Sequence, residues 1–289
     1  MTKLLTTLSI FLAFNLSLSA QSARSILRLG NVKNIDITMQ LDGSVTQQAG
    51  TQAIDFKTEA QINHRYQVVS RVNDATTLRH EITYARIDLD GMGQKHSYDS
   101  ETKKDNDNLL SSRFNEIISR KFDVIIDSTG NSNPVRTAVS DSAGNEEPFS
   151  ILSVLFRDVS NIAYAPKKNE PGFFKILPEK PVNVGEAWTD SVDNASGKLT
   201  TTYTLREVTD SLIKIDFRGL SYSVYKASMM GVPTTIILNG NSFGFITIDS
   251  QTGLIRSKET TTEFSGNTEA MGNTTPVTAK TVLKLRVVN

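Results

Sequence analysis

Apolar and polar residues alternate along most of this chain, and the period of that alternation predicts its secondary structure. Several segments of the first half have a period of two, which is typical of strands with one buried face. These segments are Ile35–Val45, Ala53–Asn63, Arg65–Val72, Thr77–Leu89 and Gln94–Ser100. Turn-forming residues separate them, so the first half is predicted to form an antiparallel meander.

The period changes to that of a helix after residue 105. Leu110, Phe114 and Ile117 lie on one face of a segment that predicts an amphipathic helix over Asn108–Arg120. A second helix is predicted over Glu146–Val159, because two acidic residues and a proline favour a helix start there.

The period of two returns in the second half, which is rich in the Thr, Val, Ile and Tyr residues that strands prefer. Strands are predicted at Leu199–Val208, Ser211–Leu220, Tyr222–Met229, Thr234–Asn239, Phe243–Asp249, Leu254–Phe264 and Val277–Val288. A turn is predicted at Asn239–Asn241, where a glycine stands between two asparagines.

Two motifs recur in the same order in both halves. Tyr66 and Tyr203 each precede a turn and a long alternating strand, and Asp127-Ser-Thr-Gly130 is answered by Asp249-Ser-Gln-Thr-Gly253. Turn motifs also recur by chance in β proteins, but the shared order favours a two-fold pseudo-repeat. We therefore predict a mainly β (β-rich α+β) fold. Antiparallel meander sheets form its two pseudo-repeated halves, with one or two helices between them.

The first twenty residues predict a secretory signal peptide. Lys3 gives a positive start, an apolar run follows over Leu4–Leu18, and Ala20 is small. The run is short for a membrane span, which takes about 20 apolar residues. We predict a signal peptide over 1–20, a first β-rich half over 21–141, a helix and connector over 142–181, and a second β-rich half over 182–289. The expected location is the periplasm or the extracellular space, without a transmembrane segment after signal removal.

Composition narrows the possible chemistry. The chain has no cysteine, which excludes disulfides, thiol catalysis and cysteine–zinc sites. Its 31 Lys and Arg residues balance its 31 Asp and Glu residues, so no net field attracts nucleic acid. No phosphate-binding loop or dinucleotide fingerprint is present, and no cofactor is predicted.

Two groups of residues suggest a catalytic or metal site at first sight. Asp127 and Asp249 could pair as in an aspartic protease, but inserted residues separate each from its glycine. Hairpin turns in which each aspartate bonds its own backbone are predicted instead. His64, His80 and His96 stand at intervals of sixteen residues. Counting from the predicted turns places them well apart along their strands, so neither a metal site nor a catalytic residue is predicted.

Several motifs resemble those of a known family. The stretch Leu177-Pro-Glu-Lys-Pro-Val-Asn-Val-Gly-Glu-Ala-Trp188, the meander motif and Phe122–Gly130 resemble an exported Gram-negative family of unknown function. We expect Val182, Val184 and Trp188 to point to the core. The architecture is more distantly similar to the LolA-like periplasmic lipoprotein carriers, which implies room for acyl chains between a curved sheet and helical lids. No carrier-specific residue is found.

These observations favour a non-enzymatic envelope protein that binds an apolar or amphipathic ligand between sheet and helices. The candidate ligand-binding residues are Phe114, Ile117, Leu152 and Phe156. The alternative is a structural or interaction protein of the envelope with a filled core, and an enzyme with a site assembled from distant residues comes third. The expected partner is a lipid-like ligand or an envelope protein.

Processing of the N terminus provides a first test. Cleavage is expected after Ala20 or after Ser19, so the mature protein should begin at Gln21 or at Ala20. Amino-terminal sequencing of protein from the envelope fraction checks this, and an intact Met1 there would contradict it.

Overall fold

The computed structural model describes residues 21–49, 52–102, 109–135, 155–156, 162–163, 165–166, 172–194, 197–229 and 232–289. The predicted signal peptide lies outside them. The described elements are β1 (Ser22–Ala23), β2 (Asn34–Ala49), β3 (Gln52–Val72), β4 (Ala75–Gly91), β5 (Gln94–Asp99), α1 (Leu109–Ser119), β6 (Phe122–Ile126), β7 (Ser132–Pro134), β8 (Val182–Asn183), β9 (Ala187–Asn194), β10 (Gly197–Val208), β11 (Leu212–Met229), β12 (Val232–Asp249), β13 (Ile255–Ala270) and β14 (Asn273–Val288).

Twelve of the described strands form one antiparallel sheet, which confirms the mainly β fold. Its order is β7-β6-β4-β3-β2-β14-β13-β12-β11-β10-β9, and β5 also pairs with β4. Strands β5 and β6 share one edge of β4, because β5 pairs with Arg86–Gly91 and β6 with Thr76–His80. The pairing of β2 with β14 joins strands of the two predicted halves.

Alternation along each strand decides which face of the sheet is interior. On β2, Ile35, Ile37, Met39 and Leu41 are at most 2% exposed, whereas the residues between them are half-buried or exposed. Burial of such a row removes a large apolar area from water, which is the main stabilising contribution to a core of this kind.

Strand β12 contradicts the predicted turn at Asn239–Asn241. The strand continues through these residues, and Gly240 is buried on the interior face. Gly240 pairs with Phe264 of β13, and a Cβ on this glycine would lie 2.7 Å from Phe264 Cε1. The glycine therefore makes room for an aromatic ring within the sheet and does not mark a turn.

Helix α1 agrees with the predicted helix within one residue at each end. Phe114 is 9% exposed, and Ile117 and Ile118 pack against the core. The second predicted helix lies mostly outside the described residues. Leu155 and Phe156, which are described, are helical.

Both Asp-Ser motifs form the turns that the sequence predicts. The Thr129 N–H donates to Asp127 Oδ1 at 2.8 Å, and the Gln251 N–H donates to Asp249 Oδ1 at 3.0 Å. In each turn the aspartate accepts a bond from the backbone two residues on, as in other aspartate turns.

Residues 24–29, which we call the N-terminal clasp, connect these two turns. The Leu27 N–H donates to the Ser128 carbonyl at 2.7 Å, and the Arg28 N–H donates to the Thr252 carbonyl at 2.8 Å. The turns follow β6 and β12, which are six strand spacings apart, or about 29 Å in a flat sheet. Because two consecutive residues reach both turns, the sheet must curve until these ends of β6 and β12 lie close together.

Trp188 packs on the neighbouring strand. Its ring stacks on Tyr203 with centroids 5.4 Å apart, and its Nε1 donates to the Ile176 carbonyl at 3.2 Å. Val182 also packs against the core, as predicted. Val184 is 42% exposed, which contradicts its predicted core position, because it lies in the turn between β8 and β9.

The two motifs of the predicted pseudo-repeat lie at comparable places in the strand order, and the repeat itself stays a prediction. Tyr66 lies on the second strand of the meander β2–β3–β4, and Tyr203 lies on the second strand of β9–β10–β11. Asp127 and Asp249 then end or follow the next strand of each meander, β6 and β12.

A pair of glycines tests whether the clasp holds the curved sheet. Gly253 and Gly93 have φ angles of +77° and +76°. A Cβ would lie 1.9 Å from the Ile26 carbonyl oxygen at Gly253, whereas it meets nothing within 4 Å at Gly93. Gly93→Ala should lower the free energy of unfolding by about 1 kcal/mol through its positive φ alone. Gly253→Ala should lower it by about 3 kcal/mol, because the clasp must also move. Equal losses in urea titrations would show that the clasp contact contributes nothing.

Candidate functional site

Three of the four predicted ligand-binding residues are described, and they pack against neighbours. Phe114 and Phe156 meet edge to face with ring centroids 5.6 Å apart. Tyr98 of β5 extends this cluster at 5.6 Å from Phe114, and Ile117 packs against the core. Leu152 lies outside the described residues. The sheet and the helical residues therefore meet through aromatic rings at β5.

Leu155 shows how the helical residues reach the interior of the sheet. Its side chain is 1% exposed, and its Cδ2 lies 3.0 Å from the position of a Cβ built on Gly43, in the middle of β2. Thr58 of β3, which pairs with Gly43, is equally close to that position. Leu155 therefore fills the space above this glycine.

Gly43 belongs to a row of small residues that crosses the interior face. The register of six neighbouring strands, from β11 to β3, places these residues side by side: Gly219, Ser242, Thr262, Thr281, Gly43 and Thr58. We call this row the small-residue belt. An adjacent row contains the large residues Phe217, Leu283 and Leu41 together with smaller ones. The belt itself has no large side chain, and we call the space above it the trough.

The surroundings of the belt differ between Gly43, near its β3 end, and Gly219, at its β11 end. At Gly43 the nearest atoms include Leu155, which does not belong to the sheet. At Gly219 the three nearest atoms to a built Cβ belong to Thr201, Ser242 and Leu199, all on the sheet itself. The trough is therefore filled by a helical side chain at Gly43, whereas the nearest described side chains at Gly219 belong to the sheet.

Two hydroxyl groups on the interior face of β13 have no hydrogen-bond partner among the described residues. Thr260 is the next interior residue to Thr262 of the belt and is 5% exposed. Thr268 lies six residues from Thr262 and is 3% exposed. A buried polar group left unbonded costs about 1–3 kcal/mol. Such groups are therefore natural contact points for a bound molecule with a polar atom.

The described interior carries no formal charge. Its buried polar side chains are the hydroxyls of Ser and Thr and the imidazoles of His64 and His80. All Asp, Glu, Lys and Arg side chains whose burial is described are half-buried or exposed. An uncharged interior with a few hydroxyls accepts apolar molecules far more readily than ionic ones.

The structure contradicts the predicted separation of His64 and His80. His64 Nδ1 and His80 Nε2 lie 3.0 Å apart, and both side chains are buried. A bulge at Val69 of β3 and a second at Thr83 of β4 flank this segment, and between them the shifted register pairs Tyr66 with His80. Residue counting from the turn assumes regular pairing and misses this shift. His96 pairs with Leu89 on another part of β4.

Aromatic rings enclose the histidine pair. His80 stacks on Phe122 with centroids 4.5 Å apart, Tyr66 lies 4.7 Å from His80, and Phe174 lies 5.2 Å from Tyr66. Burial lowers the pKa of His64 to about 3, with a further contribution from the charge of His80. Burial lowers the pKa of His80 to about 4. Both imidazoles are therefore neutral at neutral pH.

Among the described residues, the histidine pair lacks the further ligands of a metal site and the hydrogen-bond partners of a catalytic site. Within the described parts of the chain, no three His, Cys, Asp or Glu side chains converge on one point. His64 Nε2 and His80 Nδ1 have no hydrogen-bond partner there either. A catalytic imidazole is normally oriented by an acceptor and lies within reach of a nucleophile or substrate. We interpret the pair as a buried polar element of the fold.

Comparisons with known proteins match part of this chain to a family without an assigned activity. The family of unknown function DUF6263 matches residues 165–255, which include the proline-containing stretch that leads to Trp188. The resemblance to a family of unknown function is thus confirmed for this part of the chain. No curated protein matches the sequence. Of the helices that the structure describes, none is long and apolar enough to cross a membrane.

Three solved structures illustrate the distant similarities in architecture. A lipovitellin structure concerned with lipid–protein interactions matches with a TM-score of 0.45 and 11% identity over 89% of this chain, which spans 25% of that chain. The COG4313 outer membrane channel from Pseudomonas putida F1 matches with a TM-score of 0.27 and 7% identity over 91% of this chain and 98% of its own. The translocator domain of the autotransporter NalP from Neisseria meningitidis matches with a TM-score of 0.21 and 6% identity over 90% of each chain. At these scores the similarities carry no functional argument.

The histidine pair predicts that the protein loses stability in mild acid. Both pKa values lie below the value of about 6.5 for an unfolded histidine, so the unfolded chain binds more protons as the pH falls. The contribution of the pair is complete above about pH 6.5 and is lost progressively toward pH 4 and pH 3. Between pH 7 and pH 5 the pair should remove roughly 3 kcal/mol from the free energy of unfolding.

Urea titrations at the two pH values measure this loss. His80→Phe should reduce the difference between them, because one titrating group is removed from the interior. His96→Gln is the matched control and should leave the difference unchanged, since this half-buried residue lies outside the pair. A wild-type midpoint that is the same at pH 7 and pH 5 would contradict the prediction.

Proposed function

We propose that this protein is an exported, non-enzymatic binding protein that holds an apolar or amphipathic ligand inside its curved sheet. The observation that carries the proposal is the small-residue belt. The ligand lies along the trough between Gly219 and Thr281, beneath the helical residues that include Leu155 and Phe156. Its polar atom bonds Thr260, whose hydroxyl otherwise has no partner among the described residues.

The sequence of the belt supports this assignment. Protein interiors are close-packed, and a strand wall that faces only other protein is usually filled with branched aliphatic residues. Here six adjacent strands place glycine, serine or threonine in one row, although Leu41 and Leu283 lie in the next row. A wall of small side chains with a few hydroxyls is typical of a surface that accommodates an apolar molecule.

The uncharged interior supports the same class of ligand. The described interior offers hydroxyls and neutral imidazoles but no buried charge, so it provides nothing to pair with an ionic substrate. The function that we propose is binding or transfer of the ligand without a change to its covalent structure.

A second candidate function is a structural or interaction protein whose core is filled by its own chain. The position of Leu155 favours this alternative, because its Cδ2 occupies the space where a side chain on Gly43 would lie. At this place a helical side chain fills the trough.

Filling the belt distinguishes the two functions. Thr262→Leu adds apolar volume in the centre of the trough, where Thr262 is fully buried. In either case the substitution breaks the buried hydrogen bond between Thr262 and Ser242, which costs about 1–3 kcal/mol. If a ligand occupies this space, the substitution should also weaken binding of a fluorescent fatty-acid probe about tenfold or more. If the core is filled, it should instead destabilise the fold by a further ~1–3 kcal/mol through overpacking.

A neighbouring threonine supplies the matched control. Thr261 lies on the other face of β13 and is half-buried, so Thr261→Leu should change neither probe binding nor stability appreciably. Phe156→Ala should alter probe binding more than stability if it widens a pocket, and should destabilise by a few kcal/mol if it empties a core. Wild-type protein that carries no lipid in native mass spectrometry and binds no probe would contradict the proposal.

A further inference from the structure

A cavity lies at the end of the sheet, beneath the N-terminal clasp. Its volume is about 300 Å³. It is separate from the belt, because Ile248 in its lining is six residues from Ser242 along β12, or about 20 Å. Small-molecule sites commonly have volumes of about 300–1,000 Å³, so this cavity suits one small ligand.

The lining of the cavity combines an apolar floor with a cationic side. Its large apolar side chains come from the clasp, the connector and strands β10–β12: Ile26, Leu27, Phe174, Ile176, Leu177, Val208, Ile213 and Ile248. Arg24 and Arg28 also line it, and none of the described residues in its lining is acidic. An apolar surface beside two uncompensated cations suits an amphiphile with a negative head.

The two arginines have donors to offer. Arg28 Nη1 donates to the Gln251 carbonyl at 3.0 Å, which leaves other N–H groups of the guanidinium available. Arg24 is exposed and has no partner among the described residues. Arginine binds carboxylate and phosphate through paired N–H groups, so both kinds of headgroup fit this chemistry.

The roof of the cavity is held in place by several contacts before any ligand binds. Strand β1 pairs with β8, and the Ser25 N–H donates to the Pro178 carbonyl at 2.8 Å. The Leu27 and Arg28 amides are bonded to the two Asp-Ser turns. A roof fixed in this way needs little ordering when a ligand enters, which favours affinity.

We propose that this end cavity binds a single-chain amphiphile with an anionic headgroup, a carboxylate or a phosphate. The alkyl chain lies on the floor formed by Ile213, Ile248 and Leu177, and the headgroup is bound by Arg24 and Arg28. The inference goes beyond the proposed function, because this site shares no residue with the belt.

Calorimetric titration of the full mature chain at neutral pH tests the site. Decanoate and decyl phosphate should both bind, whereas decyltrimethylammonium, with the same chain and a positive head, should bind at least about tenfold more weakly. Inorganic phosphate alone should not bind measurably, because the apolar floor contributes only to the alkyl chain. The relative affinities of the two anions identify the preferred headgroup.

Substitutions locate the binding site. Arg24→Gln should weaken decanoate binding about tenfold, and adding Arg28→Gln should weaken it further. Lys33→Gln is the matched control, since Lys33 lines a neighbouring open groove of about 710 Å³ and does not line this cavity. Because Arg28 also contacts a turn, Arg24→Gln alone, with an unchanged melting temperature, decides the case.

The results separate this inference from the proposed function. Thr262→Leu should leave decanoate binding intact even if it abolishes binding of the fatty-acid probe in the trough. Absence of decanoate binding, equal binding of the cationic amphiphile, or full affinity in the Arg24→Gln variant would each overturn the end-cavity proposal.

Discussion

The interior of this protein exists because the sheet curves, and the N-terminal clasp fixes that curvature. Consecutive amides at Leu27 and Arg28 bond turns that belong to strands six spacings apart. Hydrogen bonds between neighbouring strands set the spacing along the sheet but leave its curvature open. The clasp supplies the missing constraint, and Gly253 permits the close approach because it has no side chain.

The curved sheet gives its interior an unusual composition. The belt places one small residue on the interior face of each of six adjacent long strands. The buried polar groups near it are neutral. The histidine pair illustrates the same property, because His64 and His80 remain uncharged among Tyr66, Phe122 and Phe174. An apolar ligand in the trough and an anionic head at the arginine-lined end would use two different parts of one sheet.

The sequence predicts local structure well where one strong signal acts. Helical spacing gives α1 within one residue at each end, and the Asp127 and Asp249 turns follow from aspartate chemistry. The prediction fails at Asn239–Asn241, because a glycine that receives the ring of Phe264 has the same local signature as a turn. Period-two alternation through Gly240 was the signal in favour of a continuous strand.

The candidate site depends on the register between paired strands. The pattern of residues along a single strand carries no information about that register. The belt is visible only after six strands are aligned, although the interior parity of Gly240, Ser242 and Gly244 on β12 indicates a small-residue wall there. The histidine pair needs the bulge at Val69 of β3, which no residue count predicts. Long-range pairing, set by the fit of whole faces, decides both features.

The pairing between β2 and β14 slows the folding of this chain. Asp36–Gln47 pairs with Val277–Val288, roughly 240 residues away in sequence, and contacts of such high order form slowly. Until β14 is in place, β2 and β13 remain open edges that can pair with other chains. Insertion of β14, the last described strand, therefore closes both edges. Aggregation during folding competes with this insertion, and a chaperone that shields β2 would raise the yield of folded protein.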